Sequence, residues 1–120
     1  MNHNLVIKDI KAGKFEKIYF LHGEEAYFID LITDALMHSV VTEENQDFDQ
    51  VVMYGKDADV MNLISQLKTY PMLSEKRLVV LKEAQELKDF DKLETYFDNC
   101  LESTVFVINY KYKNFDSRKK

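Results

Sequence analysis

The sequence is short of the residues that punctuate or cross-link a chain: its 120 residues include one cysteine, one proline, three glycines and no tryptophan. A lone cysteine, Cys100, excludes an intrachain disulfide framework or a thiolate metal site, and points to a reducing compartment and a core thiol. With so little glycine and proline, and no Ser/Gly-rich tract or internal repeat, there is no internal linker and one core is predicted. No apolar run approaches the roughly 18 residues of a membrane span, and the opening Met-Asn-His-Asn-Leu lacks the cationic-then-apolar order of a secretion signal. A soluble, cytoplasmic chain with no membrane partner is expected. Positive charge is also in deficit: 16 basic against 21 acidic residues leave a net charge of −5, which argues against the whole surface being a nucleic-acid platform.

What is present is apolar patterning, with 46% hydrophobic residues. Leu5, Ile7 and Ile10 form a helical stripe closed by Gly13. Ile18-Tyr19-Phe20-Leu21 is a continuous apolar run of the kind buried on both faces of a parallel sheet, and predicts a first, central strand ending at His22-Gly23. A helix follows from Glu24 to about Val40, with Phe28, Ile32, Ala35, Leu36 and Val40 at helical spacing. The alternation over Asp47 to Tyr54 predicts a second strand, broken at Gly55. Asp57 or Asp59 is placed to cap a helix carrying Val60, Leu63, Ile64 and Leu67, which must stop near Tyr70 because Pro71 disfavours helical geometry before it. Arg77 to Leu81 predicts a strand, Asp89 to Leu101 a helix built on Phe90, Leu93, Phe97 and Leu101, and Thr104 to Asn109 a last strand.

Strands alternating with helices, each strand too apolar for a half-exposed sheet, give an α/β fold: a parallel sheet with helices on both faces. Residues 1–110 form the expected domain. Residues 111–120 hold five of the basic residues and no aliphatic one, and read as the start of a basic linker.

Ligands of such sheets usually sit beyond the carboxyl ends of the strands, so His22-Gly23-Glu24-Glu25 is where a phosphate loop belongs. A phosphate loop needs two spaced glycines, then Lys and Ser or Thr, to surround phosphates and magnesium. This turn has one glycine and two carboxylates, and no Lys or Arg lies between Lys17 and Lys56 to offset them. No nucleotide or other cofactor is expected. His3, His22 and His38 have no second ligand at metal-binding spacing and read as surface or turn residues. The acidic pairs Glu24/Glu25 and Asp89/Asp91 read as solvated, so no catalytic residue is expected. The alternative is another nucleotide-independent α/β interaction domain or a phosphorelay receiver domain of similar size and class. A receiver needs an Asp after the third strand, where this sequence has Leu81-Lys82-Glu83.

Two blocks resemble a known family. Tyr19-Phe20-Leu21-His22-Gly23-Glu24-Glu25-Ala26-Tyr27-Phe28-Ile29, and then Tyr70-Pro71-Met72-Leu73-Ser74-Glu75-Lys76-Arg77-Leu78-Val79-Val80-Leu81 continued by Lys82-Glu83-Ala84, are similar in order and spacing to the delta subunit of the bacterial DNA polymerase III clamp loader. The resemblance covers about residues 17 to 110. It implies an AAA+-like domain that has lost its phosphate loop and catalyses nothing itself, acting in DNA replication as part of the polymerase holoenzyme. It implies the ring-shaped sliding clamp, the beta subunit, as partner, to be gripped and opened for loading on primed DNA. It further implies that other clamp-loader subunits bind through domains absent here, and that DNA is met only in the assembled complex. The clamp contact it implies is Met72 and Leu73, flanked by Tyr70 and Pro71, with Leu73 standing where some members carry an aromatic residue.

Overall fold

The computed structural model describes residues 3–23 and 26–111. Glu24 and Glu25, and the basic residues beyond Lys111, therefore lie outside the described residues. The chain runs α1 (His3–Lys11), β1 (Ile18–Gly23), α2 (Ala26–Ser39), α3 (Gln46–Asp49), β2 (Gln50–Tyr54), α4 (Val60–Leu67), β3 (Arg77–Lys82), α5 (Glu94–Asp98) and β4 (Thr104–Lys111). Three 3₁₀ turns, Glu43–Asn45, Ala84–Glu86 and Phe90–Leu93, are interleaved. The four strands pair in the order β1-β4-β3-β2, all parallel.

Period-two alternation of β3 and β4 divides the core into two layers. Leu78 and Val80 with Val105 and Val107 face α1 and α2, meeting Ile10, Ile29, Ile32 and Leu36. Val79 and Leu81 with Phe106 and Ile108 face the other way, onto Val60, Leu63, Leu67, Leu93 and Tyr96. Helices therefore cover both faces, and the α/β expectation holds. Tyr96 and Phe106 meet edge-to-face at 6.0 Å between ring centroids. Gly13 takes φ +82, the left-handed geometry that ends α1.

Three expectations need correction. First, β1 is not central: among the described residues it pairs only with β4. Its apolar run records burial of both faces, Tyr19 and Leu21 in one layer and Ile18 and Phe20 packed against the other, which says nothing of how many strands flank it. Second, the strand expected from Asp47 begins only at Gln50. Gln46–Asp49 is a helical turn, held to the end of α2 by Gln46 Nε2 donating to the carbonyls of Met37 and Val41 at 3.1 and 3.2 Å. Third, Asp89 to Leu101 is no single helix. Asp89 has φ 62 and supplies no side-chain cap, a 3₁₀ turn follows, and α5 stops at Asp98 with Asn99 out of helical geometry. The buried pair is Leu93, which ends the 3₁₀ turn, and Tyr96 in α5, so the apolar stripe is divided between two short elements.

Candidate functional site

The expected partner-contact residues fall on the loop that leaves α4 and enters β3. At the end of α4 the backbone bonds tighten, with Lys68 N reaching both Ile64 O and Ser65 O and Thr69 N reaching Gln66 O, and side chains add further donors to the last carbonyls. Thr69 Oγ1 donates to Ser65 O at 2.9 Å, Arg77 Nε to Gln66 O at 3.3 Å, and Thr104 Oγ1 to Leu67 O at 3.2 Å. Such bonds satisfy carbonyls that the end of a helix leaves without a partner in the ladder. Pro71, which has no N–H to give, follows two residues after Thr69.

The next three N–H groups converge on one acceptor. Met72 N donates to Asp49 Oδ1 at 2.6 Å, and Leu73 N and Ser74 N donate to Asp49 Oδ2 at 2.8 and 2.7 Å. Asp49 is completely buried at the end of α3. Burial pushes its carboxyl up, but the N–H groups of Met72, Leu73 and Ser74, aided by the Ser74 hydroxyl, outweigh that and hold it below the usual aspartate value. Asn45 Nδ2 donates to Ser74 Oγ at 3.1 Å and pins the far end of the loop.

Behind the loop lies Arg77, buried at the first position of β3. Its Nη1 donates to Phe48 O at 3.0 Å, and its Nη2 and Nε reach the side-chain and main-chain oxygens of Gln66. One guanidinium thus ties α3 to the last turn of α4, using the fork geometry that a lysine lacks. Lys76 Nζ donates to Glu102 O at 2.7 Å, joining the end of the loop to the turn before β4.

With its backbone held from below, the loop turns its apolar side chains outward. Tyr70, Met72 and Leu73 are 67%, 70% and 58% exposed, while Pro71 is half-buried. Phe48, one residue before the Asp49 anchor, is also half-exposed and was not expected from the sequence as part of this region. All of these residues lie at the amino ends of β2 and β3. The four site residues are therefore brought onto one loop, and Asp49 and Arg77, which the sequence does not single out, hold it. The only local hint of Asp49 is a carboxylate next to apolar Phe48.

The opposite end of the sheet is different. β1 ends at His22-Gly23, and the Glu24 and Glu25 side chains lie outside the described residues. β3 ends at Lys82, followed by Glu83 with φ 55, so no aspartate stands where a receiver domain needs its phosphate acceptor. His38 Nδ1–H donates to Asp34 O at 2.7 Å within its own helix, and His22 is exposed beside Phe20. Cys100 is partly buried near the carbonyls of Tyr96 and Phe97, and burial raises its thiol above the usual value. No described helix is long and apolar enough to cross a membrane.

Residues 19–120 match the family model described as DNA polymerase III, delta subunit. The chain is 30% identical over 125 residues to DNA polymerase III subunit delta of Bacillus subtilis strain 168, across 96% of this chain and 36% of that one. Among solved structures, the Bacillus subtilis DNA clamp loader delta protein superposes with a TM-score of 0.87 at 27% identity, covering 99% of this chain and 38% of that one. A DNA polymerase III gamma subunit-related protein of Thermotoga maritima shares the AAA+-like α/β fold, with a TM-score of 0.66 at 14% identity over 92% of this chain and 40% of that one. The chain spans little more than a third of the length of its Bacillus relatives.

Proposed function

Since the chain belongs to the DNA polymerase III delta subunit family, we propose that it is the sliding-clamp-binding module of a bacterial clamp loader, with Met72 and Leu73 as the contact and Tyr70 and Pro71 flanking it. Residues 1–110 form the module and residues 111–120 begin its connector. The observation that carries this reading is the outward projection of two adjacent large apolar side chains from a loop whose Met72, Leu73 and Ser74 N–H groups are all tied to Asp49. Exposed apolar residues presented together mark a surface built for a partner, and such anchors dominate interface energetics. The module grips the ring and helps to open one interface for loading on primed DNA. It catalyses nothing itself, works in the cytoplasm beside other clamp-loader subunits, and meets DNA only in the assembled complex.

Equilibrium binding to a purified bacterial sliding clamp tests this. Replacing Met72 and Leu73 together by Ala is expected to weaken binding by roughly 2 kcal/mol or more, a hot-spot loss. The melting temperature is expected to change little, because neither side chain supports the core. Buried residues would behave oppositely, costing on the order of 2–5 kcal/mol of stability each. Full affinity in a stable double variant removes the assignment.

A further inference from the structure

We propose that Asp49 is the positioning residue of the partner contact: by accepting the three consecutive N–H groups of Met72, Leu73 and Ser74, its carboxylate sets the loop in its binding shape before any partner arrives. This rests on the reading of Met72 and Leu73 as the clamp contact and adds the group that aims them. Asp49 cannot touch a partner, being completely buried beneath the loop. What it controls is the backbone, through contacts of 2.6, 2.8 and 2.7 Å. Charge-assisted bonds of this length are the strong ones, and here three of them converge on one group.

Two consequences follow from the geometry. The first concerns ordering. A free loop carrying two large side chains must be immobilised on association, and pre-set geometry removes that cost from the binding step. The second concerns recognition. The N–H groups of Met72, Leu73 and Ser74 are all consumed inside the molecule, and Pro71 has none. From Pro71 to Ser74 the chain therefore has no main-chain donor with which to add as a strand to a partner's sheet edge, which favours contact through side chains entering an apolar pocket. Arg77 completes the mounting: it fastens Phe48, the neighbour of Asp49, to Gln66 at the end of α4, so anchor and loop share one base.

The test uses Asp49→Asn and Asp49→Ala in the 120-residue chain, each alone and in the Met72→Ala/Leu73→Ala background. Amide hydrogen exchange and affinity for a purified bacterial sliding clamp are both measured. Asp49→Asn is expected to speed exchange at Met72, Leu73 and Ser74 by about tenfold or more, while the β3 and β4 amides keep their protection. Clamp affinity is expected to fall by about tenfold as well. In the Met72→Ala/Leu73→Ala background Asp49→Asn is expected to add no further loss, because a residue acting only through those side chains has nothing left to aim. Unchanged exchange at the three amides, or affinity losses that simply add, overturns the proposal. Should both variants fail to fold, the wild-type chain still decides: the three amide protons and the Asp49 carboxyl must titrate together by NMR, and independent titration overturns it. A wild-type chain that does not bind the clamp defeats the functional reading instead, and the exchange data still show whether Asp49 holds the loop.

Discussion

At the scale of single residues, the charge on Asp49 links loop geometry to pH. Its carboxyl is desolvated, yet three N–H groups and the Ser74 hydroxyl hold its folded value below the ordinary one. A depressed aspartate stabilises the folded state at pH values above its unfolded value of about 3.9, and that contribution is lost as the pH falls through the lower folded value. Thermal unfolding of the wild-type chain and of Asp49→Asn between neutral and acid pH therefore has an expected form. The wild type is more stable at pH 7, and the gap between the two narrows below the ordinary aspartate range. A gap that stays constant to the acid end of the series contradicts this. Asp49 was not legible in the sequence because its three partners lie 23, 24 and 25 residues further along the chain. No local pattern encodes such a contact, and the neighbouring alternation suggested a strand. Met72 and Leu73 were singled out through the family resemblance; the local sequence adds only that a proline lies beyond the helix and two large apolar residues follow it with no periodic place to be buried.

Legibility at the scale of elements followed the strength of the local signal. α4 was clear, because Val60, Leu63 and Leu67 are buried at helical spacing and Asp59 accepts from Asn62 N at 3.1 Å as its N-cap. The region after β3 was misread, because Phe90, Leu93, Phe97 and Leu101 mimic a helical stripe while the backbone departs from it. Asp89 and Glu83 both sit at positive φ, and Asp98 and Asn99 prefer turns and caps to helix interiors. Two substitutions in α4 separate cap from core. Asp59→Ala is expected to cost about 1 kcal/mol, the usual worth of an N-cap. Leu63→Ala, at a position with no solvent exposure, is expected to cost about 2–5 kcal/mol through the cavity it leaves. Denaturant unfolding measures both, and the reverse ranking shows that packing under α4 is not what stabilises it. Because α4 leads into the apolar loop, Leu63→Ala is also the control that lowers stability without substituting Asp49 or Met72.

The whole molecule has two ends, set by a sheet whose strands all run the same way. At the carboxyl ends, where α/β sheets take small ligands, β1 ends at His22-Gly23, and the sequence continues with Glu24 and Glu25, which lie outside the described residues, rather than with the residues of a phosphate loop. At the amino ends it carries the apolar loop mounted on Asp49 and Arg77. β1 is an edge strand among the described residues, while the loop leads from α4 into β3, on the other side of β4. A ligand changes affinity at a second site only if it binds and distinguishes two states, and the sequence His22-Gly23-Glu24-Glu25 offers one glycine and two carboxylates where a phosphate would need amides, Lys and Ser or Thr. Magnesium-ATP or magnesium-GTP at about 1 mM, the upper end of working substrate concentrations, is therefore expected to leave clamp affinity unchanged. Isothermal titration without the clamp is expected to show no saturable heat. Saturable binding with unchanged clamp affinity means that the turn binds nucleotide despite its carboxylates. A nucleotide-dependent change in clamp affinity overturns the separation of the two ends, and makes the parallel sheet between them a coupled element rather than a rigid mount.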